Sequence, residues 1–171
     1  MLLRIQQIRH VRSQLGMISN EVIKKLLWEA IKYTKIFSLN PEYWKVEVLI
    51  PDTPITLSLG SSKELLNFKE RGKLIFLYSF CDNKDAVLEV FIDDMRMRGT
   101  PKEVYNAGLV GYNPVTYWIA EYDDVNNRYV IMYTPVPPRE YYGRIYAKFY
   151  APREKSVNFK YVAVRYKFLG D

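Results

Sequence analysis

From Trp44 onward, apolar and polar residues exchange places at every second position, and that period commits most of the chain to β-structure. Val46, Val48 and Ile50 alternate with Lys45, Glu47 and Leu49 before Pro51 closes the run. A repeat of two sends one set of side chains to a buried face and the other set to the opposite face. Residues 55–59 form a second segment ended by Gly60, and Gly72 precedes an unbroken apolar run over residues 74–80. Such a run is what a strand buried on both faces shows. After a turn at Asp82-Asn83, residues 87–92 alternate again, and residues 117–122 and 129–133 flank a turn at 123–127. Residues 143–150 and 157–168 read as a closing hairpin joined near Pro152, while Pro135, Pro137 and Pro138 interrupt the sheet before it.

Two stretches carry helix-start signals within this β region. Thr100-Pro101-Lys102-Glu103 places an N-cap, a first-turn proline and a capping-box glutamate in order, with Gly108 at the end. It predicts one short helix between strands. Ser61 and Glu64 share the capping-box spacing, which offers either a helical turn over residues 63–68 or a polar β-connection.

Residues 1–40 follow a different period. Ile5, Ile8, Val11 and Leu15 recur at three or four, with Arg4, Arg9 and Arg12 off that stripe and no acidic residue before Glu21. Gly16 is placed to end this helix, and Ser19 or Asn20 to cap a second one that Asn40-Pro41 stops. The expected organisation is a basic amphipathic helical arm over 1–40 and a β-sandwich domain over 41–171. Such an arm suits an anionic membrane, packaged nucleic acid, an adjacent subunit, or its own sandwich.

Charge is unevenly spread along the chain. The net charge of +6 combines a basic start, a mildly acidic middle and a basic end after residue 135. Basic ends suit phosphate, an acidic membrane surface or an acidic protein, against the plainer reading of a solvated cationic surface.

Few residues are available for catalysis or metal binding. Cys81 is the only cysteine and His10 the only histidine, so an internal disulfide and a His-clustered zinc site are both excluded. Asp93-Asp94 and Asp123-Asp124 sit at strand ends, where neighbouring side chains diverge and Asp commonly forms turns. Neither phosphate-cradling glycine motif is present, and no serine sits in a nucleophile elbow. The expectation is a non-enzymatic protein with no cofactor, no catalytic residue and no metal site. The opening Met1-Leu2-Leu3-Arg4 lacks the continuous apolar core of a secretory leader, and a reduced intracellular product is expected.

The aromatic residues gather late in the chain. Tyr142, Tyr146, Tyr150 and Tyr161 are interleaved with Arg144, Lys148 and Arg165 along the last two strand segments. Such a face can stack bases and pair phosphates, grip sugars, or contact another protein through rings with polar tips. The plain alternative is an outer sheet face whose cations blunt edge aggregation.

Three stretches carry a resemblance to a known group of proteins. They are the run from Leu57 to Leu66 followed by an apolar strand, Val90-Phe91-Ile92-Asp93-Asp94 leading to the capped turn, and Thr134-Pro135-Val136-Pro137-Pro138 before the aromatic strands that close on Tyr166-Lys167-Phe168. Together they resemble single-jelly-roll virion structural proteins of tailless icosahedral viruses, especially those of hyperthermophilic archaea. The resemblance implies a mainly β, jelly-roll-like antiparallel sandwich of about seven to eight strands. It also implies a capsid, coat or vertex role, with copies of itself and other coat proteins as partners and lipid or packaged genome met by the arm. Localisation would be the virion, after synthesis in the host cytoplasm. Scarce Cys, His and Gln fit a hot habitat, against which nine Asn argue. The alternative is a cellular β-sandwich module that binds nucleic acid or carbohydrate through the Tyr/Arg/Lys-rich hairpin.

Overall fold

The computed structural model describes residues 43–51 and 53–170. The expected helical arm, with Arg4, Ile5, Ile8, Arg9, Val11 and Arg12, lies outside these described residues. The described strands are β1 (Trp44–Leu49), β2 (Ile55–Leu57), β3 (Ser62–Phe68), β4 (Gly72–Cys81), β5 (Val87–Ile92), β6 (Met95–Gly99), β7 (Trp118–Asp123), β8 (Arg128–Tyr133), β9 (Arg139–Tyr141), β10 (Ile145–Tyr150) and β11 (Val157–Phe168). One described helix, α1 (Pro101–Asn106), separates β6 from β7. Several of these strands are short and escaped the sequence pattern, so the number exceeds the seven or eight expected.

Two antiparallel sheets face each other. The seven-stranded sheet runs β1-β11-β4-β8-β7, with β2 added on β11 and β9 on β4, and the four-stranded sheet runs β3-β10-β5-β6. The period-two pattern explains the layering. In β5, Leu88, Val90 and Ile92 point inward and are at most 1% exposed, and Ile145, Ala147 and Phe149 do the same in β10. They meet Leu77, Cys81, Ile131, Phe159 and Ala163 from the larger sheet in one core. Phe149 and Phe159 stack across it with ring centroids 4.5 Å apart, and full burial of each ring contributes about 2–3 kcal/mol. β4 is buried along both faces, as its unbroken apolar run predicts: Phe76 and Tyr78 are buried as well as Leu74 and Leu77.

The closing hairpin is not formed. β10 pairs with β3 and β5, whereas β11 pairs with β1, β2 and β4. The two strands therefore lie in opposite sheets and meet face to face. Residues 151–156 make the change of sheet, held by Ala151 N–H to Ser61 O and by Gly60 N–H to Pro152 O, both 2.9 Å. Alternation says which side of a strand is buried. It does not say whether the next strand returns alongside or crosses the core.

Residues 63–68 are strand rather than helical turn. The Ser61 hydroxyl donates to Ser58 O instead of capping, and Glu64 accepts from the Asn67 side chain. A bulge opposite Ala147 and Lys148 buries both Leu65 and Leu66 in succession, so pairing with β10 outweighs the local signal. The second capping box forms as expected. Thr100 Oγ1 accepts from Glu103 N–H at 3.1 Å, Glu103 Oε2 accepts from Thr100 N–H at 2.8 Å, and Gly108 takes a positive φ of 73° after the helix.

Cys81 behaves as a small buried hydrophobe. Its Sγ donates to Asn83 O, and burial pushes its thiol up to about 12.

Candidate interaction face

The outer face of the four-stranded sheet collects most of the residues singled out on the predicted hairpin. Along β10 the inward residues alternate with Tyr146, Lys148 and Tyr150, which point away from the core, and Arg144 precedes them. Register sets Tyr146 beside Phe91 of β5 and Lys148 beside Glu89. The same register continues to β6, placing Arg96 beside Phe91 and Arg98 beside Glu89. Arg96, Arg98, Phe91 and Glu89 were not predicted as part of this face. The signal for two of them is Met95-Arg96-Met97-Arg98, a strict alternation after the Asp93-Asp94 turn, with both methionines packed on the core.

Cations on this face lie over rings. The Arg144 guanidinium is 4.9 Å from the Tyr146 ring centre, Lys148 Nζ is 5.0 Å from that of Tyr150, and Arg98 of β6 reaches across the intervening β5 to within 5.7 Å of the Tyr150 ring centre. Arg96 lies 5.6 Å from the centre of Phe91. Contacts of this kind at exposed sites contribute about 0.5–1 kcal/mol each.

Glu89 is the fixed point beneath them. It is 6% exposed, accepts from Tyr150 Oη at 2.7 Å and from Arg96 Nε at 2.7 Å, and pairs with the Arg96 guanidinium. The hydrogen bond from Tyr150 outweighs burial and, with Arg96, holds the Glu89 carboxyl below its usual range. Reciprocally, that bond and burial push the Tyr150 phenol up to about 12. The Tyr150 ring is thereby oriented while its faces stay available to Lys148 and Arg98.

Asp93 positions the start of the row. It sits in the two-residue β5–β6 turn with a φ of 52°, a left-handed conformation that Asp tolerates better than most residues. Its carboxylate accepts from the backbone N–H groups of Tyr142, Gly143 and Arg144, each at 2.9 Å. Burial would raise its pKa, but these three donors hold the carboxyl below its usual range. Asp123 similarly accepts from Val125 and Asn126 N–H, so both acidic pairs act as turn formers, as the sequence predicts.

The remaining predicted residues stand elsewhere. Tyr161 lies on β11 and packs against the core. Arg165 is buried, its side chain only 3% exposed, and is not a surface contact. It donates to Glu47 (2.6 Å), Glu70 (2.6 Å) and the Tyr141 hydroxyl (2.9 Å), and lies over the Phe68 ring. The predicted single face is thus divided: the β10 row faces outward, and Arg165 closes one end of the core between the sheets. Tyr142 is 66% exposed, with the Arg71 guanidinium 5.0 Å from its ring.

A depression of about 710 Å³ lies at the opposite end, lined in part by Asp82, Lys84, Asp85, Asp124 and Arg153. Its central groups already serve the fold. Asp124 binds Lys84 and the Tyr129 hydroxyl, and Asp82 binds the backbone and side chain of Asn158. Among the described residues, no three His, Cys, Asp or Glu side chains group to hold a metal ion, and no helix is long and apolar enough to cross a membrane. Neither a family model nor a curated protein matches this sequence.

Proposed function

We propose that this protein is a non-enzymatic structural component of a virion coat, a jelly roll that packs beside copies of itself or other coat proteins. The observation that carries this reading is the pairing order. With the short β2 and β9 and the outer β7 set aside, the remaining strands pair first with last, second with seventh, third with sixth and fourth with fifth. That order is one long hairpin wrapped around a core. Jelly rolls serve viral shells as well as lectins and cupins.

A patch of exposed apolar residues suits subunit packing. Val110, Tyr112, Val115 and Val136 are 60, 57, 75 and 41% exposed. Leu109 and Gly111 bond to Ile119 of β7, and Val136 N–H reaches Pro114 O, so these residues fall on neighbouring loops beside that strand. Exposed apolar groups clustered in this way suit contact with another chain. The basic stretch with Arg4, Arg9 and Arg12 would meet membrane, packaged genome or an adjacent subunit.

The test is the solution mass of the full chain by light scattering across concentration and salt. Assemblies well above the 20.3 kDa of one chain are expected. Val115→Asp and Tyr112→Ser should return them toward the monomer without changing the circular dichroism spectrum. A wild-type chain that stays monomeric at every concentration and salt overturns the reading.

A further inference from the structure

We infer that the outer face of the four-stranded sheet binds single-stranded nucleic acid, with β10 as its track. The alternation is the basis. Arg144, Tyr146, Lys148 and Tyr150 present cation, ring, cation and ring on one face, at steps of about 7 Å for every second residue of a strand. Single-strand binders need these two elements together: cations to meet phosphates, and rings on which successive bases stack without regard to sequence. A duplex hides the base faces and would use only the cations.

Charge complementarity selects this occupant over an apolar one. Arg98, Arg144 and Lys148 have no carboxylate within ion-pairing distance among the described residues. Elsewhere on the sandwich Arg71, Lys84 and Arg128 are each paired with an acid, and Lys155 and Lys160, which are not, lie over no ring among the described residues; the combination of unpaired cation and ring belongs to this face. The buried acid on the face, Glu89, is already matched by Arg96 and Tyr150. Arg144, which also donates to the Asn67 side chain at 3.2 Å, lies over Tyr146, and Lys148 and Arg98 lie over Tyr150. Moving each cation from ring to phosphate bares a ring face for a base. This inference stands apart from the coat reading, since a monomeric chain would bind in the same way.

The test is fluorescence anisotropy of the full chain with a labelled oligothymidine of about 20 nucleotides, long enough to exceed the site of one domain. Affinity should fall with salt at a log–log slope of about −2, for three phosphates met at ~0.7 each on a single strand. Arg98→Gln and Lys148→Gln should each reduce that slope by about 0.7. Tyr146→Ala should weaken binding about tenfold or more through lost stacking, while Lys160→Gln, on the other sheet, should leave affinity unchanged. A melting curve confirms that each variant is folded, and the two Gln variants keep the test decisive if Tyr146→Ala is not. Four outcomes overturn the inference: no binding; equal affinity for a duplex of the same length; equal affinity for polyglutamate, which assigns the face to acidic protein; and binding abolished by changing Arg4, Arg9 and Arg12 to Gln yet indifferent to the sheet variants.

Discussion

The two sheets share a core but treat their charged residues in opposite ways. In the seven-stranded sheet, the central strand β4 is apolar and buried on both faces, and Arg165 of β11 is enclosed by Glu47, Glu70, Tyr141 and Phe68. In the four-stranded sheet one face is core, and the other carries Arg98, Arg144 and Lys148 over half-buried rings, with no carboxylate paired to them among the described residues. The same residue type therefore performs two tasks. A guanidinium enclosed by carboxylates is committed to the fold, because removing it leaves two half-buried acids and a buried phenol without their partner. One lying over a ring in water costs little to move and can change partners.

That contrast can be broken most sharply at Arg165. Arg165→Ala removes the buried cation facing Glu47 and Glu70, and a loss of about 2–3 kcal/mol is expected in urea unfolding, since both acids keep some solvent contact and a second partner in Lys45 or Lys167. Arg98→Ala, by comparison, should leave stability within ~0.5 kcal/mol. Equal effects would erase the distinction between the sheets.

Gly72→Ala should come next. A Cβ there would overlap the Tyr141 phenol, whose hydroxyl accepts from Arg165, and would stand 2.7 Å from Tyr166 O. Overpacking of this kind costs about 1–3 kcal/mol, read as a lowered melting temperature.

Acid sharpens the comparison on the small-sheet side. Glu89 and Asp93 have carboxyl pKa values below their ordinary 4.5 and 3.8. An unfolded chain then binds more protons in that window, so their stabilisation is full above about pH 4.5 and is lost as pH falls through the lowered folded values. Urea midpoints measured from pH 6 down to pH 2 should fall, and Glu89→Gln should flatten part of that fall. An unchanged profile in the variant would show that Glu89 is not held by Tyr150 and Arg96.

A modest effect, between those of Gly72→Ala and Arg98→Ala, is expected at Thr100, outside both sheets. Thr100→Ala removes one side of the capping box and should cost about 1 kcal/mol. A larger loss would mean that α1 contributes to the sandwich beyond its buried Pro101 and Val104.

Local features were legible in the sequence. The alternation over Val87–Ile92, the capped turn at Thr100, the turn-forming Asp pairs and the doubly buried β4 all depend on neighbours a few residues away, and each appears as read. What was not legible depends on distant partners. Arg165 looked like a surface cation because Glu47, which it binds, lies 118 residues before it. β10 and β11 looked like a hairpin because each alternates well, and alternation carries no information about which strand lies alongside. The outer face was read only in part for the same reason: Arg96 and Arg98 join the β10 row through β5 pairing with both neighbours.

One feature of the larger sheet bears on the life of the chain before it is folded. β11, which pairs with β1, β2 and β4, is made after every other described strand. A chain still emerging from the ribosome therefore holds β1 and β4 without the strand that joins them, each presenting an open hydrogen-bonding edge. Long-range pairing of this kind is slow to form and leaves apolar strands exposed meanwhile. The sheet is completed from its middle, and its completion waits on the latest-made of the described strands.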